Sequence, residues 1–178
     1  IHKSRLEGTK EHKRSFFILP TPQAYKLGMG STISNLIYEL NLLDTIDESV
    51  EFTAIKACCL RVVFELSSHY FIRDAKGFDT LVGKIRSKEV SEQVKDIVQC
   101  LSKPRNMTEI DSKIKIGFKT LRNVLDKDKF FNAVRASNLG AHKSTEYLTQ
   151  KDMDDIAKKA TLFTVIVNEA INNGNIHE

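Results

Sequence analysis

Residues 49–74, SVEFTAIKACCLRVVFELSSHYFIRD, decide the fold. Apolar side chains recur on nearly every face of this run, from Val50, Phe52, Ile55 and Leu60 through Val63 and Phe64 to Tyr70, Phe71 and Ile72, and no Gly or Pro interrupts it. It is too long for a strand, and a helix apolar all round must be enclosed by other elements. The run therefore predicts a central helix inside a bundle. Its polar exceptions Arg61, Glu65, Ser68 and His69 follow one another at steps of four, three and one, which predicts a single stripe. Two readings of the stripe stay open: an exposed (i, i+4) Arg61–Glu65 pair, or a polar group set against a functional site. Cys58, Cys59 and the later Cys100 read as buried thiols.

Working outward, the flanking segments carry helical periods as well. Ser31 and Thr32 offer an N-cap for Ile33, Leu36, Ile37, Leu40 and Leu43. A short amphipathic stretch from Phe78 to Arg86 follows Gly77, and a longer one from Val90 to Leu101 is expected to stop at Pro104. Thr108 with Asp111 reads as a capping box opening a helix through Ile110, Ile114, Ile116, Phe118, Leu121 and Leu125. A small helix at Phe130, Phe131 and Val134 comes next. Thr149 with Asp152 makes a second capping box before the clearest amphipathic pattern of the chain, Met153, Ile156, Ala157, Ala160, Phe163, Val167, Ala170 and Ile171, which Asn173-Gly174 is expected to close. Leu162, Val165 and Ile166 widen its apolar face, which leaves a dimer seam and an inter-helix centre both open.

No alternating period-2 run competes with these helices, so the expected fold is all-α: a helical bundle of about five to seven helices with an extended N-terminal segment. That segment is residues 16–30, where Pro20 and Pro22 disfavour helix after the apolar cluster Phe16, Phe17, Ile18 and Leu19. Residues 16–174 read as a single helical domain, and residues 1–15 as a basic linker or tail.

Composition narrows the class further. In 178 residues, 41% hydrophobic and 28% charged, only eight Gly and three Pro occur, too few for a disordered or loop-rich chain. No stretch approaches the length of a membrane span, and the first fifteen residues carry no apolar signal region, so a soluble protein without membrane partners is expected. Three cysteines match neither a disulfide framework nor a zinc spacing, which favours a reducing, cytoplasmic setting. The net charge of +4 would suggest a polyanionic partner, but five basic and two acidic residues in 1–15 account for +3 of it. The body is near neutral. The chain begins at Ile1, so it reads as a fragment of a longer protein whose other domains are its partners.

Phosphate-loop, dinucleotide-binding, nucleophile-elbow and zinc-protease signatures are all absent, and neither a metal nor another cofactor is expected. What stands out is Arg135-Ala136-Ser137-Asn138-Leu139-Gly140-Ala141-His142, expected on a polar stretch between two helices. Arginine holds a phosphate with a planar fork of donors at any pH, and histidine exchanges a proton near neutrality. Together they suffice for metal-independent cleavage of an RNA phosphodiester, in which the 2′-hydroxyl attacks and the protein orients groups, stabilises charge and moves protons. Ser137 and Asn138 would add hydrogen bonds to the same phosphate.

The stretch from Arg135 to His142, lying before the helix at 149–173, resembles the Arg-x(4-6)-His motif of the HEPN superfamily of small helical bundles. Asn138-Leu139-Gly140-Ala141-His142 with Thr149-x-x-Asp152 is similar to the C-terminal part of HEPN-like families of prokaryotic defence and stress systems. The run Cys59-Leu60-Arg61-Val62-Val63-Phe64-Glu65-Leu66 resembles a Leu-Arg-x-x-x-Glu-Leu helix of such families and of helical domains attached to ParB-like nuclease modules. The resemblance covers roughly residues 50–72 and 130–172. It implies a homodimer with Arg135 and His142 of two copies facing a shared cleft, acting as a metal-independent endoribonuclease or RNA-binding dimer of a defence or toxin system. Asn138, Ser137, Arg61 and Glu65 would support the site. Active members carry a polar residue after the motif arginine; Ala136 stands there, with Asn138 as the substitute. Members without activity imply the alternative, a non-catalytic dimerisation or protein-interaction domain of a larger, DNA-directed protein.

Overall fold

Because α-helices must bury an apolar stripe against something, eight of them surround one another here with no strand among the described residues. They are α1 (Ser31–Thr45), α2 (Thr53–Asp74), α3 (Asp79–Ile85), α4 (Val90–Leu101), α5 (Pro104–Ile114), α6 (Phe118–Val124), α7 (Lys127–His142) and α8 (Gln150–Asn172). The structure, a computed structural model, describes residues 17, 27–45, 52–142 and 148–178. None of its helices is long and apolar enough to cross a membrane, among those residues.

The central run is α2, and α8, α7, α1 and α4 all pack on it. Its main partner is α8. Phe64 meets Phe163 with ring centroids 5.8 Å apart, and Phe130 of α7 joins them at 6.5 Å from Phe163. All three rings are fully buried. Such aromatic clusters add about 0.5–1.5 kcal/mol per pair beyond the area they bury. Two polar groups inside this seam meet each other: the Ser67 and Thr164 hydroxyls lie 2.9 Å apart, and Thr164 also donates to the Ala160 carbonyl at 2.9 Å. Thr161 bonds back to Ala157 in the same way.

The broad apolar face of α8 is an inter-helix centre. Phe163 through Ala170 are buried without interruption inside this one chain, and Leu162 is half-buried. Both ends of α8 are also fastened. Thr149 and Asp152 form the capping box, with the Thr149 N–H donating to Asp152 Oδ2 at 2.8 Å and the Asp152 N–H to Thr149 Oγ1 at 3.2 Å. Beyond the C-terminus, Ile176 is buried, and the Asn106 side chain donates to the Cys100 and His177 carbonyls at 3.1 and 2.9 Å.

At the other end of the chain, Phe17 is buried and its N–H donates to Asn41 Oδ1 at 2.6 Å. Gly28 donates to Asn168 Oδ1 at 2.7 Å, with Met29 buried beside it. These points of the expected extended segment dock on the bundle. Residues 18–26, the tail before residue 17, and the start expected for the central helix at 49–51 lie outside the described residues.

Eight helices among the described residues exceed the five to seven expected, and five further expectations need correction. Pro104 does not merely stop α4; it begins α5 at the first helical position, where its missing N–H has no helical partner to lose. Thr108 and Asp111 are then interior to α5, with Thr108 donating back to the Pro104 carbonyl at 2.9 Å and Asp111 accepting from the Gly117 N–H at 2.7 Å. The helix expected through Leu125 is accordingly two, divided where Lys115 is left-handed (φ 54°) and Gly117 has φ 93°. In α7, the small helix expected around Phe130 continues through Arg135 to His142, so the polar stretch is helical. Last, α8 ends on an extended Asn173 (φ −107°, ψ 105°), without the left-handed glycine expected at Gly174.

Candidate nucleic-acid face on α7

Helix α7 leans on α2 and α4 and touches α8 more lightly. Phe130, Ala133, Val134 and Ser137 supply its buried face. That choice of inner face sends Arg135 outward, where it is exposed. A step of seven residues falls about 20° short of two full turns, so Arg135 and His142 stand nearly in line along α7, about 10.5 Å apart along the axis. His142 closes α7. Its side chain, with those of Gly140 and Ala141, lies outside the described residues.

The face of Arg135 holds residues that the motif does not include. Phe131 stands one turn before Arg135, and Leu139, 56% exposed, one turn after it. The Arg135 guanidinium lies 5.7 Å from the centroid of the Phe131 ring, and Lys95 of α4 places its ammonium 5.1 Å from the same centroid. One ring thus carries two cations. Stacking of this kind is worth about 0.5–1 kcal/mol at exposed sites and orients a cation without neutralising it. Asp128 reaches Lys95 at 3.4 Å, while no carboxylate pairs with Arg135 among the described residues. The ridge Phe131–Arg135–Leu139 therefore sets a half-buried aromatic ring, a planar cation without a carboxylate partner among the described residues and an exposed apolar side chain in line.

The other expected site residues fare differently. Ser137 is fully buried and donates to the Val134 carbonyl at 2.7 Å, which removes it from any ligand. Asn138 is half-buried, and its Oδ1 is out of solvent with no hydrogen-bond partner among the described residues. On α2, Arg61 is half-buried and Glu65 exposed, and no ion pair joins them. Neither makes a hydrogen bond or ion pair with Arg135, Ser137 or Asn138. The polar stripe of α2 also splits: Glu65 and His69 face out, whereas Ser68 is buried with its hydroxyl unpartnered.

The thiols require a correction as well. Cys100 is buried and Cys59 half-buried, each with its thiol pKa raised first of all by burial, but Cys58 is exposed. The position one step along a helix turns by about 100°, and here that turn carries Cys58 to the side of α2 that no other helix covers among the described residues. No group of His, Cys, Asp and Glu that could hold a metal occurs among the described residues.

Phe131 and Lys95 are what sequence reasoning missed. The (i, i+4) spacing of Phe131 and Arg135 was a legible signal. Lys95 carried none, because only packing of α4 on α7 brings it there. Compared with known protein families, curated proteins and solved structures, the chain matches none.

Proposed function

We propose that this domain engages RNA through the outer face of α7, in keeping with the HEPN-like resemblance, with Arg135 anchoring a phosphate and His142 serving as the proton-transfer group. The observation that carries the reading is the pair of cations, Lys95 and Arg135, held over one Phe131 ring, with no carboxylate on Arg135 among the described residues. Phosphate contacts supply most of the affinity for a nucleic acid, and aromatic rings stack on unpaired bases. An arginine and a histidine nearly in line along one helix, separated by about 10.5 Å of rise, lie within combined side-chain reach of a single phosphodiester. Cleavage in this reading needs no metal: His142 withdraws or delivers a proton while Arg135 offsets the developing charge. Its dimeric form, with two such faces meeting across a cleft, is part of the same proposal and draws nothing from α8, whose broad face is buried within the chain.

The test is binding and cleavage of single-stranded RNA with a chelator present. Arg135→Ala is expected to weaken RNA binding by about tenfold or more, the worth of a charge-assisted hydrogen bond. His142→Ala is expected to abolish cleavage while binding and helical content persist. Cleavage equal to wild type in the His142 variant would sink the catalytic role.

One observation favours the second reading, a non-catalytic interaction domain of a longer, DNA-directed chain. Ser137 is consumed by the Val134 carbonyl and Ala136 offers no polar group, so the motif keeps few ligands beyond its two end residues. RNA binding sensitive to Arg135 with no cleavage at all would select that reading.

A further inference from the structure

A second surface of α7 is open for a different reason. About 120° round the helix from Arg135, Lys129, Asn132, Ala133 and Ala136 follow the i, i+3, i+4, i+7 rule and line a groove of about 800 Å³ between α7, α8 and the end of α6. Ala133 and Ala136 reach only one carbon toward α8, and the space a larger side chain would fill remains. Ile156 and Leu162 of α8 complete an apolar floor, and the 40%-exposed Val124 stands at the α6 end.

The polar groups around that floor have a definite sign. Both carboxylates that line the groove are engaged: Asp152 holds the Thr149 cap, and Asp155 is paired with Lys159. Lys129 and Lys158 are exposed and have no carboxylate partner among the described residues. The Thr149 cap leaves the Asp152 charge in place, so the three lysines and two carboxylates of the lining leave one net positive charge, with Lys129 and Lys158 as its unpaired cations. Asn123 and Asn132 also line the groove, exposed and without a hydrogen-bond partner among the described residues. A carboxamide offers donors and an acceptor together, which a heterocyclic base edge uses and an acyl chain does not. The volume falls in the range of small-ligand sites, about 300–1,000 Å³, and is short for a docked helix.

We propose that this groove is a nucleotide-binding site, with a base on the apolar floor, Asn123 and Asn132 at its polar edge, and the phosphate on Lys129 and Lys158. The shared chemistry is a nucleoside phosphate, either free or as one unit of a single strand. The site is separate from the Arg135 face, so either can fail without the other.

Calorimetric titration of the whole chain with AMP and UMP, with adenosine and uridine, and with a five-nucleotide single-stranded RNA tests the proposal. Expected is saturable binding of the monophosphates that the bare nucleosides do not match, weakened about tenfold or more by Lys129→Glu with Lys158→Glu, and unchanged by Arg135→Ala. Ala136→Leu, which fills the groove, is expected to abolish it; the exposed lysine variants keep the test open should that leucine disturb folding. Tight binding by the oligonucleotide alone, sensitive to the same lysines, supports the site and identifies the strand as its source. Nucleosides binding as well as monophosphates, indifference to the charge reversal, no saturation by any probe at millimolar concentration, or preference for an acidic peptide would each overturn it.

Discussion

The seam between α2 and α8 and the outer flank of α7 are built from similar residue types and treat them oppositely. In the seam, Phe64 and Phe163 stack out of water, and the hydroxyls of Ser67 and Thr164 satisfy each other. On the flank, Phe131 is half-exposed beneath two cations, and Leu139 lies open to solvent. A buried polar group must find a partner or cost about 1–3 kcal/mol, whereas an exposed one can wait for a ligand at little cost. Stability is therefore concentrated in the seam, and capacity for binding on the flank.

The largest expected effect tests the first half of that contrast. Phe163→Ala removes the ring shared by Phe64 and Phe130 and should cost about 3–5 kcal/mol in denaturant unfolding. A cost near zero would mean that the seam is not the core. Thr164→Val keeps the shape but leaves the Ser67 hydroxyl without its partner, and a loss of about 1–3 kcal/mol is expected. Recovery in the double variant with Ser67→Ala would sharpen the assignment.

Smaller effects follow at the edges of the bundle. Thr149→Ala removes the α8 cap, at about 1 kcal/mol. Asp152 accepts from the Thr149 hydroxyl and N–H, which holds its pKa below the usual carboxylate range. A depressed carboxylate pKa means stability that is present above the unfolded value and lost as pH falls. The melting-temperature gap between the protein and Asp152→Asn should be full near pH 6 and close below about pH 4; a gap constant across that window would exclude the cap as its source. Leu139→Glu, on the flank, should change stability by no more than about 0.5 kcal/mol while lowering RNA affinity. A large destabilisation there would break the contrast. Thiol labelling of the native chain should modify Cys58 first, Cys59 more slowly and Cys100 last, as their exposure ranks them.

The most legible elements were those whose signals lay within a few residues. The capping box at Thr149 and Asp152 and the apolar periods of α2 and α8 are local, and each stands where its residues indicated. The α5–α6 region was misread because Thr108-x-x-Asp111 satisfies the capping pattern while Pro104 is an equally good first-turn residue, and tertiary packing chose the latter. Of the candidate site, the Arg135–His142 spacing was visible as a pair, but not that it would lie on a helix. Nor was the burial of Ser137 visible, since it depends on which face α7 turns to α2 and α4.

What the amino-acid order determined by itself is the all-helical class, the central place of the run at 53–74 and the start of the last long helix, because periodicity and capping are properties of neighbours along the chain. Which faces stayed outside was decided only in three dimensions. The unbroken burial of α8 from Phe163 to Ala170, the meeting of Lys95 with Phe131, and the groove opened by Ala133 and Ala136 are products of whole helices competing for one core. A residue's exposure is settled by the helix that covers it, and no window along the chain contains that helix.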